Sequence, residues 1–135
     1  MRALTLGGAY YMISTVAIIL FVDKMPLLLF LILLYILPPA INCWIMVKNK
    51  EYLTRLSIIL PVVSTLVYCI IGIILQGSDN WNRFVIDNTV TQGEYNVSIH
   101  SDLMAISQIV FVVILYFSVA FIFYLIVRRK WGDKK

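Results

Sequence analysis

Four long apolar stretches without a single charged residue constrain this chain more than any other feature. They run over Ala3–Val22, Leu27–Val47, Leu56–Leu75 and Leu103–Val127. Each reaches the length of about 20 residues with which a helix crosses the hydrocarbon core of a bilayer. Together they take up 86 of the 135 residues. Irregular backbone cannot face lipid and a barrel would show short alternating strands, so continuous runs of this length predict helices.

The composition excludes the main soluble alternatives. Hydrophobic residues make up 61% of the chain, charged residues only 13%, and the mean hydropathy is +0.92. An ordinary soluble domain carries about 25% charged residues. A disordered chain needs high charge, and a disulfide scaffold needs more than the two cysteines present here. We therefore predict an all-α membrane protein, a single domain built as a bundle of four transmembrane helices.

The distribution of Lys and Arg predicts how the bundle is oriented. Nine of the 11 basic residues lie at the N-terminus, in the loop between the second and third stretches, or in the tail 128–135. Only Lys24 and Arg83 fall on the other side. Because basic loops stay in the cytoplasm, we expect a multi-pass protein of the plasma membrane with both termini cytoplasmic. The net charge of +4 is then a topology signal and does not indicate a nucleic-acid partner.

The outer segment 76–102 is long enough to hold structure of its own. Ser78 is a suitable helix N-cap, and the apolar side chains that follow recur at helical spacing. This predicts a short amphipathic helix lying on the outer leaflet, followed by a hairpin over Thr89–Ile99 centred on Gly93. Aromatic anchors often dominate interfaces. The candidate partner contacts are therefore Trp81, Phe84, Val85 and Tyr95.

Small and weakly polar residues form stripes at helical spacing within the apolar stretches. In lipid, such residues allow close approach and hydrogen bonds between helices. We expect these stripes to face one another as packing seams, while a path for a substrate or an ion is the alternative. The candidate packing residues are Ser14, Pro38, Asn42, Ser64 and Ser118. Cys43 and Cys69 are predicted at depths about 13 Å apart, which is too far for a disulfide.

Residues that could carry chemistry are scarce. His100 and Asp102 are the only pair that resembles an acid–base or metal site, and Asp102 is better explained as a carboxylate at a helix N-terminus. We therefore expect no catalytic residue, no metal and no cofactor. Arg128, Arg129 and Lys130 lie where anionic headgroups attract positive charge, so we interpret them as lipid and topology contacts.

In its layout the chain resembles the Msa family of small membrane proteins from Gram-positive bacteria. The resemblance includes the four stretches, the Pro-containing segment Ile36–Asn42 and the longer outer loop. Its most specific part is Tyr95–Asp102, which runs into the last stretch and ends in a basic tail. The resemblance implies a role in the regulation of virulence or biofilm genes, and it implies no catalytic residues.

Three functions agree with these features. The leading hypothesis is a non-enzymatic accessory or regulatory protein that contacts another membrane protein or forms a homo-oligomer in the lipid bilayer. The second is an immunity protein against a bacteriocin or a pore-forming toxin, which would use the acidic outer surface. The third is a small transporter or channel subunit, which would need a continuous polar cavity through the bundle.

Overall fold

The computed structural model describes residues 2–92, 95–97 and 102–132. Within that part of the chain, four helices are long and apolar enough to cross a membrane. These spans are Arg2–Lys24, Leu27–Lys48, Lys50–Leu75 and Ile106–Trp131. The predicted fold class, four long apolar helices with a short helix between the third and the fourth, is confirmed.

Each span is built from the following elements. The first consists of α1 (Arg2–Phe21) and a 3-10 turn (Val22–Lys24), and the second of α2 (Leu27–Leu31), a π-helical turn (Ile32–Ile36) and α3 (Leu37–Lys48). The third consists of a 3-10 turn (Lys50–Tyr52) and α4 (Leu53–Leu75), and the fourth of α6 (Ile106–Gly132). Between the last two lie α5 (Asp79–Asp87) and strands β1 (Val90–Gln92) and β2 (Tyr95–Val97).

The second and third spans form the centre of the bundle. Helices α3 and α4 contact each other and both of the remaining long helices, so α1 and α6 flank them. The start of α1 and the end of α6 lie at the same end of the bundle, which is called the terminal end. Helix α5 lies at the opposite end, which is called the loop end. The fourth span is the least covered: 17% of its most apolar stretch is buried inside the protein, against 28–39% for the other three.

The interior is divided into two apolar clusters along the bundle axis. The larger cluster lies towards the loop end and includes Ile18, Leu34 and Tyr116, while the smaller one, around Ile45 and Leu60, lies towards the terminal end. Between the two clusters, the first three spans carry the buried polar side chains described below.

The outer segment folds largely as predicted. Gly77 takes a positive φ of 82°, a conformation that glycine adopts without a steric penalty, and it ends α4. The Ser78 hydroxyl then accepts a hydrogen bond from the backbone N–H of Trp81 at 3.2 Å, so Ser78 is the N-cap of α5. Strands β1 and β2 pair antiparallel with Gln92 opposite Tyr95, as a hairpin requires.

The fourth span begins later than predicted. The expected start was Leu103, but α6 starts at Ile106 and extends into the basic tail as far as Gly132. The Asp102 carboxylate accepts a hydrogen bond from the Met104 N–H at 3.0 Å, and the Leu103 carbonyl accepts one from the Tyr68 hydroxyl at 2.9 Å. These bonds hold residues 102–105 in a turn, which lets Leu103 pack inward beside α4.

A glycine brings the first and second spans close together. A Cβ atom at Gly7 would collide with the side chain of Ile45 on α3, whereas Gly8 faces open space. Small residues at such crossings let helix backbones approach in lipid. The atom in the way is the terminal methyl of Ile45, so a larger residue at Gly7 would force this side chain to move, while one at Gly8 would displace nothing.

Candidate functional site

Three polar side chains from three spans meet in the middle of the bundle. The Tyr11 hydroxyl donates to Asn42 Oδ1 at 2.8 Å and lies 2.6 Å from Ser64 Oγ. Asn42 Nδ2 donates to the same Ser64 oxygen at 2.7 Å. The exposed fractions are 8% for Tyr11, 1% for Asn42 and 2% for Ser64. This polar triad joins α1, α3 and α4 at the boundary between the two apolar clusters.

Two further predicted packing residues lie beside the triad. Ser14 is buried, and its hydroxyl donates to the Tyr11 carbonyl at 3.2 Å. Pro38 is buried one turn before Asn42, and its carbonyl oxygen lies 3.4 Å from the Tyr11 hydroxyl oxygen. The Ser64 hydroxyl also reaches the Leu60 carbonyl at 2.9 Å. Each polar atom of the triad therefore has a partner inside the protein.

Ser118 does not belong to this arrangement, so that part of the packing prediction is wrong. It is exposed on the lipid-facing side of α6, whereas Val112, Tyr116 and Ala120 are buried. Two residues along a helix rotate a side chain by roughly 200°, which places Ser118 opposite Tyr116. The small size and polarity of Ser118 did not determine which side of α6 it occupies.

A tyrosine hydroxyl satisfies a carbonyl that the two prolines leave without a donor. The carbonyl of Leu34 would normally accept from residue 38 in an α-helix or residue 39 in a π-helix, and both are proline, which has no N–H. The Tyr116 hydroxyl donates to this carbonyl across the bundle. This bond attaches α6 to the second span.

The candidate partner contacts of the outer segment are mostly not available to a partner. Trp81 and Phe84 are 1% and 0% exposed, they stack at 5.4 Å, and Phe84 lies 4.9 Å from the Phe30 ring of α2. Val85 is half-buried against the same cluster, and the side chain of Tyr95 lies outside the described part of the chain. The amphipathic helix is present, but its aromatic face covers the bundle and does not rest on lipid. In this fold Trp81 and Phe84 pack inside the protein, so their burial gives no support to the prediction that they contact a partner.

The basic residues of the tail are exposed on the last turns of α6. Arg128, Arg129 and Lys130 all lie at the surface, and Arg128 Nη1 donates to the Tyr124 hydroxyl at 3.2 Å. Lys50 Nζ lies 3.1 Å from the ring centroid of Trp131, which joins the loop before α4 to the end of α6. This cation–π contact confirms that the loop and the tail share the terminal end.

The structure describes only one residue of the predicted acid–base pair. His100 lies outside the described residues, and Asp102 is engaged with the Met104 N–H. Among the described residues, no group of three His, Cys, Asp or Glu side chains comes together in a way that could hold a metal ion. Cys43 and Cys69 are both free thiols, as their predicted separation in depth required.

Comparison with known proteins does not assign the chain to a family. No family model matches the chain, and no curated protein or solved structure matches it either. Of the predicted resemblance to the Msa family, only the layout of four apolar helices is supported. The chain is a multi-pass membrane protein by the length and apolar character of its helices.

Proposed function

We propose that this protein is a non-enzymatic membrane accessory or regulatory protein that acts by contact with another membrane protein, through the outward face of α6. The observation that carries the proposal is Ser118. Its hydroxyl is exposed near the middle of the span and makes no hydrogen bond to any of the described residues. A serine hydroxyl in hydrocarbon is satisfied either by a carbonyl one turn earlier on its own helix, as the Ser64 hydroxyl is by Leu60, or by an acceptor on a neighbouring helix. The absence of the first bond at Ser118, within the described part of the chain, favours the second.

The surroundings of Ser118 support a helix partner. Ile114, Phe121 and Ile122 are 57–60% exposed and lie on the same side of α6. They form an apolar ridge with one hydroxyl in its middle and an aromatic side chain that could anchor a contact. The fourth span is also the least covered of the four, so it has the most surface left for a partner.

The non-enzymatic part of the proposal rests on the state of the buried polar groups. The amide and hydroxyl groups of the triad are bonded to one another and to backbone carbonyls, which favours a structural role for them. The same pairing argues against the alternative of a small transporter or channel subunit, because a polar pathway needs groups that can exchange partners with a passing solute. The regulatory role in virulence or biofilm genes is the finer proposal, and it rests on the Msa resemblance alone.

Site-specific photo-crosslinking in native membranes tests the contact. A photoreactive residue at Ser118 should capture a second membrane protein, whereas the same residue at Leu66 should not. Leu66 is a matched control because it is 58% exposed on α4 and lies 13 residues from the start of its helix, as Ser118 lies 14 residues from the end of α6. Equal capture at both positions would reject the proposed face. Capture of a second copy of this chain alone would replace the proposal with a homo-oligomer.

We further propose that both termini are cytoplasmic, from the nine-to-two division of the basic residues. Single cysteines can be introduced at Lys50, Lys134 and Asn88 after Cys43 and Cys69 have been replaced. An impermeant thiol reagent added to intact cells should label Asn88 and neither of the lysine positions. Labelling at the lysine positions without labelling at Asn88 would reverse the topology.

An immunity protein is the second candidate function. Its support is that Asp79 and Asp87 are exposed on α5, where they could attract a cationic toxin. The variant with Asp79→Asn and Asp87→Asn should lose protection against such a toxin, while the Ser118→Leu variant should keep it. Unchanged protection in the Asp79→Asn/Asp87→Asn variant would reject a role of these carboxylates, and no protection by the unmodified protein would reject the immunity function.

A further inference from the structure

A groove at the terminal end has a layout that fits a lipid headgroup. It lies between the start of α1 and the end of α3, has a volume of about 380 Å³, and is lined by Arg2, Ala3, Leu6, Trp44, Lys48 and Asn49. Small-molecule sites in proteins occupy about 300–1,000 Å³. The groove is thus large enough for a headgroup and the glycerol beside it.

The charge in this groove is positive. Arg2 and Lys48 both line it and both are exposed, and none of the described residues that line it carries a carboxylate. Glu51 lines a separate depression formed by residues 47–52, of which Lys48 is also a part. The positive end of α1 lies beside the negative end of α3, so the two helix dipoles oppose each other and the side-chain charges decide the potential. Two cations in one groove favour a phosphate.

The wall of the groove is charged at the terminal end and apolar one turn deeper in the bundle. Arg2 is the first residue of α1 and Lys48 the last of α3, so both lie at the level where the spans leave the membrane. Leu6 and Trp44 lie one turn deeper and are 59% and 41% exposed. Tryptophan is enriched at this level because its ring is apolar and its N–H is polar. The groove is therefore cationic at headgroup depth and apolar at the depth of the first acyl methylenes.

Asn49 also lines the groove, but most of its hydrogen-bond donors are engaged within the protein. Its Nδ2 donates to the Ile45 carbonyl at 2.9 Å, and its backbone N–H donates to the same carbonyl at 3.1 Å. The backbone N–H and one of the two side-chain N–H groups are used to end α3, so the charged donors in the groove are the guanidinium of Arg2 and the ammonium of Lys48.

We propose that this groove binds an anionic phospholipid from the surrounding leaflet. Arg2 and Lys48 hold the phosphate, and Leu6 and Trp44 contact the first part of the acyl chains. The occupant is a lipid because the groove opens where headgroups lie and because its deeper wall is apolar. The site does not depend on the partner proposed for α6.

The test uses the full-length protein in nanodiscs of phosphatidylcholine and phosphatidylglycerol, with retained lipids counted by native mass spectrometry. The Arg2→Gln/Lys48→Gln variant should bind phosphatidylglycerol roughly thirtyfold more weakly, since each basic residue near the surface contributes about 1 kcal/mol and a tenfold change is about 1.4 kcal/mol. The matched control is Lys24→Gln/Arg83→Gln, which removes the same charge from exposed positions at the loop end. It should retain the lipid.

Two further measurements separate a lipid from a free anion. Phosphatidylglycerol with brominated chains should quench tryptophan fluorescence more than brominated phosphatidylcholine does, and this difference should disappear in Trp44→Phe. Inorganic phosphate should not displace the lipid. Equal loss in the two charge variants, equal retention of phosphatidylcholine, or displacement by inorganic phosphate would each overturn the proposal.

Discussion

Replacing Tyr11 with phenylalanine isolates the contribution of the polar triad. The change removes one hydroxyl and keeps the ring in place, so the packing of α1 is preserved. Asn42 Oδ1 loses its donor at 2.8 Å, whereas Ser64 keeps its bonds to Asn42 Nδ2 at 2.7 Å and to the Leu60 carbonyl at 2.9 Å. An interhelical hydrogen bond in a membrane contributes about 0.6 kcal/mol on average and up to about 1.7. An unpaired buried acceptor costs about 1–3 kcal/mol. We expect a loss of about 1–3 kcal/mol in the free energy of unfolding.

Unfolding in mixed micelles of a mild detergent and SDS measures this loss. Tryptophan fluorescence is a suitable signal because Trp81 is buried at the loop end. Tyr52→Phe is the matched control, since Tyr52 is 56% exposed at the terminal end and makes none of the triad contacts. Equal unfolding curves for Tyr11→Phe, Tyr52→Phe and the unmodified protein would refute the reasoning.

A double-mutant cycle tests whether the loss comes from the unpaired acceptor. Asn42→Leu in the Tyr11→Phe background removes the acceptor and leaves Ser64 donating to the Leu60 carbonyl. The double variant should be more stable than the sum of the two single losses predicts, by about 1 kcal/mol, because residues in one hydrogen-bond network do not behave additively. Additive losses would assign the effect to packing instead.

Three other changes follow from the burial of single residues. Ser64→Leu should destabilise the bundle by about 1–3 kcal/mol through overpacking, measured by the same SDS titration, and an unchanged midpoint would contradict the burial of Ser64. Phe84→Ala should cost about 3–5 kcal/mol, whereas Ile86→Ala, at a 72% exposed position of the same helix, should cost far less; equal midpoints would place α5 off the bundle. Gly7→Val should lower stability more than Gly8→Val, and the reverse order would contradict the close approach of α1 to α3.

The sequence determined the parts of the fold that depend on local patterns. Span length and the absence of charge located the four long helices to within a few residues, because the bilayer fixes both. The Ser78 cap and the spacing of Trp81 and Phe84 located α5, since capping and helical periodicity act within one or two turns. The stripes that contain Asn42 and Ser64 predicted which side chains are buried in the second and third spans.

Features that depend on how two elements pack against each other could not be predicted from local sequence patterns. An amphipathic helix has the same pattern whether it covers lipid or its own protein, so the burial of Trp81 was not visible. The role of Tyr116 was missed because hydropathy treats its ring as apolar and ignores its hydroxyl. The signal that could have found it is the pair of prolines, which leaves the Leu34 carbonyl in need of a distant donor. Ser118 shows the reverse error, because a small polar residue was assumed to point inward.

The composition of the polar triad also bears on how the protein is assembled during synthesis. Tyr11, Asn42 and Ser64 all belong to the first three spans, so the ribosome has delivered every member before α6 is made. Translation proceeds from the N-terminus, and earlier segments can pack before later ones emerge. Helices α1, α3 and α4 can therefore pack together before the Leu34 carbonyl receives its hydrogen bond. Insertion of the last span brings Tyr116 to that carbonyl, and this bond joins the fourth span to the three that precede it.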